Sequence, residues 1–404
     1  MKSVEPKIIE IIEYQVKSFQ NYEITEALAI QLYQKYSQQV EIEFPNYKTA
    51  NKWQLKAKGW VGYIPLSNEF GLRINPKVPI KNLFGMLEYA YEIKSFRFLE
   101  GLMESESLEE FYNNLAYILA QKILERCGKG LYRTYLSKTE QLAYVRGRLN
   151  LQQTIQKTWD TKLKCSYEET TTDILENHIL IWTLFIIGSS GLCSERISPT
   201  VRKAYQVLQR FVTLKQCSQQ DCIEQKYNRL NEDYRILHNL CRFFLENTAP
   251  NHETGNRVTL PFLVDMAKLY ELFVAEWLKM HLPKNFYLKF QESVKIGKNL
   301  LFKIDLVLYD SLTLAPRYIL DTKYKTSTTP STEDVAQVIA YAVSKGCKEV
   351  ILVYPSSLTH HLNEAVGNIR VRSLTFSLED KLNQAGNTFL ENLFFSESTL
   401  IIEK

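Results

Sequence analysis

Three residues stand out as able to do chemistry together: Asp305, Asp321 and Lys323. In the run Tyr318-Ile319-Leu320-Asp321-Thr322-Lys323, the strand period of two sets Asp321 and Lys323 on one face and Leu320 and Thr322 on the other. Asp305 lies between Ile304 and Leu306, inside a segment that otherwise reads as buried, where a carboxylate is costly without a partner. Two carboxylates converging from adjacent strands are a natural oxygen-ligand set for Mg²⁺, with Mn²⁺ as a substitute and the Thr322 carbonyl as a further ligand. A lysine two residues beyond a metal ligand can orient or help deprotonate a water and can favour developing negative charge. That is the chemistry of phosphodiester hydrolysis. The plainer alternative is a salt bridge between Lys323 and one aspartate at a sheet edge, and the Asp-x-Lys spacing alone favours it. Glu271 on the preceding helix, and Gln337 and Tyr341 four apart on the following one, are polar exceptions to apolar stripes and can border one site.

The elements that must position these groups are legible around them. A long helix is expected over about 264–281, strands over 302–309 and 317–324, a helix over 334–344 and a strand over 349–354, the order of a small α/β sheet with a crossover helix. The turn-prone segment Asn247 to Asn256 marks a boundary before them. Upstream, residues 1–100 read as a small α+β domain, with strands at Val40 to Phe44, Trp60 to Pro65 and around Leu72 and Ile74, then a helix over Leu83 to Tyr91. Residues 101–250 read as a mostly helical middle region. Ser107 and Glu110 have capping-box spacing, glycines at 128 and 130 stop the first helix, and further helices fall at about 172–188, 200–215 and 231–247. Residues 251–404 form the third expected domain.

Of the 404 residues, 49 are basic and 45 acidic, so the net charge of +4 is too balanced to announce nucleic-acid binding, and any DNA surface must be local. One candidate is the stretch with Arg133, Lys138, Arg146 and Arg148, interleaved with Tyr132, Tyr135 and Tyr144; its plainer reading is a solvated hairpin face. Tyr341 is a further candidate DNA contact. Lys295, Lys298 and Lys303 lead into the Asp305 strand and can track a phosphate backbone or simply decorate a turn. The apolar run Ile179 to Ile187 is far short of the roughly 20 residues that span a bilayer, so no membrane association is expected. The start of the chain lacks a secretory pattern, and the seven scattered cysteines, with Cys217 and Cys222 closest, read as reduced thiols in a cytoplasmic protein rather than a zinc site. The adjacent His360 and His361 read as a loop. The pattern contains no Walker loop, which excludes autonomous nucleotide hydrolysis of that type.

Lys303-Ile304-Asp305 followed by Ile319-Leu320-Asp321-Thr322-Lys323-Tyr324-Lys325 resembles the PD-(D/E)xK nuclease signature, with Ile304 where that pattern usually has proline. The phrase from Asp321 to Lys325 with Asp334 to Ala342, the Gly71 to Lys77 segment, and Val145 to Leu149 after Gly130 to Arg133 are similar to the McrC family, nuclease subunits of modified-cytosine restriction systems. The resemblance implies a mixed nuclease sheet flanked by helices, Asp305 and Asp321 as metal-ligating acids, Lys323 as the catalytic lysine, and Glu271 and Gln337 as the supplementary helix acid and glutamine. It also implies Mg²⁺-dependent endonuclease cleavage of double-stranded DNA within an oligomeric complex. The partner would be an McrB-type AAA+ GTPase ring, which this chain would engage through its amino-terminal region and stimulate. Two other readings remain open: a non-cutting adaptor that only activates the GTPase, and a self-sufficient nuclease.

Overall fold

The computed structural model describes residues 7–67, 70–93, 107–149, 162–248, 260–296, 300–325 and 329–400. Lys298, one of the candidate backbone-tracking lysines, lies outside them. The chain divides into two compact units, one of residues 1–111 with 261–404 and the other of residues 112–260.

The first unit opens with β1 (Lys7–Ile12), β2 (Val16–Phe19), α1 (Glu26–Tyr36), β3 (Val40–Glu43), β4 (Trp53–Ala57), β5 (Trp60–Pro65), β6 (Phe70–Asn75) and α2 (Ile80–Ala90). Helix α3 (Leu108–Lys129) then runs into the second unit, which holds β7 (Thr134–Leu142), β8 (Arg148–Leu149), β9 (Leu163–Thr171), α4 (Leu175–Ser189), α5 (Ser198–Gln209), α6 (Gln219–Ile223) and α7 (Tyr234–Asn247). The chain returns to the first unit with β10 (Phe262–Asp265), α8 (Met266–His281), β11 (Phe286–Ile296), β12 (Leu300–Asp310), β13 (Pro316–Thr322), α9 (Thr332–Lys345), β14 (Glu349–Tyr354), β15 (Asn363–Val366), β16 (Ile369–Thr375) and α10 (Leu382–Leu400).

The sheet that carries Asp305 and Asp321 has six strands in the order β11-β12-β13-β14-β16-β15. Strand β12 is antiparallel to both of its neighbours, β11 and β13, whereas β13, β14 and β16 run parallel. Helix α9 makes the crossover from β13 to β14. Tyr318, Ile319 and Leu320 on β13 and Val350 to Val353 on β14 are fully buried, as expected of strands covered on both faces. Ser331 caps the start of α9 by accepting from the Asp334 N–H at 3.2 Å, and Gly346 closes its end in the left-handed conformation at φ 65°.

Two features depart from the sequence reading. The strand Phe262–Asp265 pairs antiparallel with Trp60 to Tyr63 of β5, completing a four-stranded sheet ordered β1-β6-β5-β10. The segment placed beyond the boundary thus finishes the amino-terminal sheet, and contacts join residues 1–111 and 261–404 in one unit. The middle region is also less uniformly helical than expected: β7, β9 and β8 form a three-stranded sheet beside its helices. Burial along β7 shows no alternation, so its apolar pattern gave no strand period, and the hairpin reading of residues 133–148 rested on the interleaved basic and tyrosine residues.

One buried group in the second unit gives a pH prediction. His238 on α7 is 0% exposed; its Nδ1 lies 2.9 Å from Tyr227 Oη and its Nε2 lies 3.0 Å from the Glu176 carbonyl. A carbonyl can only accept, so Nε2 carries the proton and Nδ1 accepts from the phenol, an arrangement that suits a neutral ring. Burial drives the His238 pKa down to about 4, against the opposing pull of the Glu176 carbonyl. The unfolded chain takes up this proton first, so the stabilisation is complete above pH ~6.5 and is lost as pH falls toward 4. Between pH 7 and pH 5 the loss is on the order of 2 kcal/mol. Urea midpoints at the two pH values are expected to differ more for the wild type than for His238→Gln. Equal differences would rule out this source.

Candidate active site

The site forms at the carboxyl end of β13. Backbone pairing between β12 and β13 is last seen at Leu306 with Leu320, and continuing that register sets Asp305 opposite Asp321, both side chains toward the same face. At this point the ladder opens, and a side chain takes the place of a backbone acceptor: Asp305 Oδ2 receives the Thr322 N–H at 3.0 Å and the Thr322 hydroxyl at 3.1 Å. Alternation alone had put Thr322 on the far face; the opened ladder lets its hydroxyl reach back. Both bonds land on Oδ2, so neither consumes Oδ1.

Asp321 is 2% exposed, and its Oδ2 lies 2.6 Å from Lys323 Nζ. Lys323 stands just past the end of β13, anchored by its own N–H, which donates to the Val353 carbonyl on β14 at 2.8 Å. Its ammonium also donates to Gln337 Oε1 at 3.0 Å and lies 3.4 Å from Asp334 Oδ1. Gln337 in turn donates through Nε2 to Tyr341 Oη at 2.6 Å. Asp334, Gln337 and Tyr341 fall on one face of α9, so one crossover helix supplies three groups to this network. Tyr341 is only 6% exposed, packed 5.4 Å centroid to centroid from Phe302. The ring of this expected DNA contact thus packs into the sheet's core, and its hydroxyl accepts from Gln337.

Electrostatics follow from burial and crowding. Desolvation, reinforced by the Asp305 carboxylate, pushes the Asp321 pKa up to about 7 against the pull of Lys323. Asp305 is raised by burial too, with the Thr322 hydrogen bonds and Lys323 opposing. Burial works to lower the Lys323 pKa, but Asp321 foremost, then Asp334 and Asp305, hold it above the ordinary lysine value. For Asp334, burial is outweighed by the hydrogen bonds from Lys325 and Ser331 and by nearby Lys323, and the pKa falls.

Glu271 on α8 interacts with the Asp305 carboxylate. Burial and the Asp305 charge raise its pKa to about 6. Its Oε1 accepts from Gln291 Nε2 at 3.0 Å. Gln291 lies on β11 between the residue pairs Phe290 with Leu306 and Glu292 with Ile304, opposite Asp305, and its backbone is left-handed at φ 49°. A non-glycine residue held there is strained, and it directs the amide toward Glu271.

The structure thus brings together Asp305, Asp321, Thr322, Lys323 and Gln337, with Tyr341 supporting Gln337 and Glu271 facing Asp305. Arg133, Arg146 and Arg148 belong to the other compact unit, where Arg133 and Arg148 are exposed. Arg146 is partly compensated: its guanidinium lies 3.4 Å from Glu169 and 4.0 Å from the Tyr167 ring centroid, and Lys138 reaches the same Glu169 at 2.6 Å. Sequence reasoning missed Asp334 and Gln291 as site residues. The signal for Asp334 was present, in its spacing of three and seven from Gln337 and Tyr341; Gln291 carried none, since nothing in its type announces a left-handed strand residue.

Comparison with known proteins places the chain in a family. The model described as "McrBC 5-methylcytosine restriction system component" matches residues 55–355, which include both aspartates, Lys323 and the whole of α9. The chain belongs to the McrBC family. A relative from Escherichia coli (strain K12), the "Type IV methyl-directed restriction enzyme EcoKMcrBC", is 25% identical over 221 residues, 51% of this chain. The match spans 60% of that relative's length. Among solved structures, the refined half-complex from the tetradecameric assembly of Thermococcus gammatolerans McrB AAA+ hexamers with bound McrC contains a chain of similar fold, at TM-score 0.58 and 18% identity over 96% of this chain and 100% of that one. Among the described residues of this McrBC family member, no helix is long and apolar enough to cross a membrane.

Proposed function

We propose that this chain is the Mg²⁺-dependent endonuclease subunit of a GTP-dependent restriction complex directed to modified cytosine, and that it also stimulates its partner GTPase. The observation that carries the reading is the pairing of Asp321 and Asp305 on adjacent strands with the Lys323 ammonium 2.6 Å from Asp321, within a McrBC family chain. The donor chemistry fits a hard divalent cation. Burial raises the pKa of both carboxylates and the Asp305 charge raises that of Asp321 further, and a further positive charge beside them relieves that cost. Asp305, Asp321 and the Thr322 carbonyl would hold Mg²⁺ or Mn²⁺. When bound, the ion supplies charge stabilisation for a phosphate oxygen and lowers the pKa of a water.

The protein's own groups divide the remaining work. Lys323, held above the ordinary lysine value, stays an ammonium at neutral pH, so it orients the attacking water and stabilises charge on the phosphate rather than acting as a base. Gln337 fixes the direction of that ammonium. Glu271, its pKa raised to about 6, is suited to hold a proton or accept one at the Asp305 side of the site. Exposed Arg133 and Arg148, with Arg146, contribute phosphate contacts to double-stranded DNA. The partner is a McrB-type AAA+ ring, as in the Thermococcus gammatolerans assembly that contains a chain of similar fold, engaged through the amino-terminal region.

The test is cleavage of modified plasmid DNA by the full chain with its cognate ring and GTP. EDTA is expected to abolish cutting, excess Mg²⁺ or Mn²⁺ to restore it, and omission of GTP or of the ring to suppress it. Cutting that persists after metal removal would overturn the metal-dependent reading. Efficient cutting by the chain alone would overturn the dependence on a partner.

A further inference from the structure

The turn that follows Lys323 is held from the amino-terminal segment. The Lys325 N–H donates to the Lys323 carbonyl at 2.9 Å, closing a three-residue turn with Tyr324 at its apex. Tyr324 is 3% exposed and anchored twice: its hydroxyl donates to Glu13 Oε1 at 2.7 Å, and its carbonyl accepts from the Tyr14 hydroxyl at 3.1 Å. Glu13, 1% exposed, is itself fixed, since its Oε1 also accepts the Lys77 N–H at 2.9 Å and its own N–H donates to the Asn75 carbonyl at 3.0 Å. The Lys77 ammonium lies 4.2 Å from the Tyr324 ring centroid and 4.7 Å from that of Tyr14.

We infer that Glu13 and Tyr324 are positioning residues for Lys323: a buried carboxylate of the amino-terminal segment fixes the apex of the turn that aims the ammonium at Asp321. The inference rests on the reading of Lys323 as part of the cutting site. A buried carboxylate is a poor choice where packing alone is needed, because an apolar side chain of similar volume fills the space without the desolvation cost. What the carboxylate adds is direction, through a short charge-assisted hydrogen bond to one phenol. With the hydroxyl and the carbonyl of Tyr324 both tied, neither its ring nor its following peptide can rotate without breaking a buried bond. On the near side, the Thr322–Lys323 peptide is tied to β14 through the Lys323 N–H, and the Lys323 carbonyl is held by the Lys325 N–H. The backbone that carries the lysine is therefore set from two directions, and one of them originates some 300 residues earlier in the chain.

The test uses the full chain in the complete reaction with its ring, GTP and Mg²⁺. Tyr324→Phe and Glu13→Ala are each expected to lower kcat for cleavage by about tenfold or more, the scale of a small misplacement of a reacting group, with the DNA concentration at half-maximal rate unchanged. Glu13→Gln keeps an oxygen acceptor for both Tyr324 and the Lys77 N–H and is expected to restore most of the rate. Acetic anhydride labelling of Lys323, read by peptide mass spectrometry, is expected to rise about threefold in Tyr324→Phe while labelling of the distant Lys284 stays constant, as local loosening of the turn requires. If Tyr324→Phe does not fold, Tyr14→Phe, which removes only the bond to the Tyr324 carbonyl, carries the same expectations. A folded Tyr324→Phe with wild-type kcat and unchanged Lys323 labelling overturns the inference. Asp321→Ala run in parallel separates the two claims: if it cuts like the wild type, the nuclease reading falls, and if it is inactive while Tyr324→Phe is fully active, only the positioning role falls.

Discussion

Lys323→Ala is expected to slow DNA cleavage by about a hundredfold to a thousandfold, the usual cost of removing one preorganised charge from a transition state. The loss has two components. The ammonium 2.6 Å from Asp321 disappears as a stabiliser of charge on the phosphate. Asp321, already raised to about 7 by burial and by Asp305, also loses the cation that holds it down, so more of it is protonated at neutral pH and fewer molecules present two carboxylates. Raising the pH is therefore expected to raise the activity of both proteins, with the rise displaced to higher pH in Lys323→Ala. The fold is expected to survive, because the anchoring bond to the Val353 carbonyl is made by the backbone N–H, which alanine retains. Lys323→Arg is expected to rescue poorly, since a planar guanidinium does not reproduce a compact ammonium in contact with both Asp321 and Gln337. Cleavage rates across pH 6–9, alongside thermal unfolding of each variant, check all of this.

The largest expected effect on folding is at Gly62. Its φ of 143° is one that side chains rarely adopt, and a Cβ built there would lie 2.0 Å from the Phe262 carbonyl oxygen. That atom is backbone of the paired strand β10, so the clash cannot be relieved by a rotamer change. Gly62→Ala is expected to cost about 3 kcal/mol or more and to loosen the pairing of β5 with β10. Damage should spread to the site, because β10 leads directly into α8, whose start is capped by Asp265 and tied by the Met266 N–H to the Gly59 carbonyl at 3.0 Å, and α8 carries Glu271. Gly346→Ala is the control: at φ 65° it is also left-handed, but an added Cβ meets no atom within 4 Å, so about 1 kcal/mol is expected. Urea midpoints by circular dichroism distinguish the two, and equal midpoints would show that the β5–β10 approach tolerates a side chain.

How much of this was legible in the sequence depended on the range of the interaction. Asp321 and Lys323 were readable because strand alternation is local, and Gln337 and Tyr341 because helix spacing is. The capped start of α9 at Ser331 and its end at Gly346 obey equally local rules. The contact of the Thr322 hydroxyl with Asp305 was not readable because alternation assumes an intact ladder, and the ladder opens where Asp305 takes the Thr322 N–H. The joining of β10 to β5 was invisible, since a strand of four residues leaves no period and its partner lies about 200 residues away. The partial neutralisation of Arg146 and Lys138 depended on Glu169, which only the pairing of β7 with β9 brings near. The anchoring of Tyr324 by Glu13 has the same character: each residue is ordinary in its own segment, and the meaning lies in the contact.

The central claim, that Asp305, Asp321 and Lys323 form a cutting site distinct from the surface that activates the partner, is tested most directly by measuring two activities on one preparation. Purified Asp321→Ala, folded by thermal unfolding, is assayed with the cognate ring for DNA cleavage and for GTP hydrolysis. The account predicts that cleavage falls below detection while stimulation of GTP hydrolysis stays at the wild-type level. Undiminished cleavage by Asp321→Ala would contradict it.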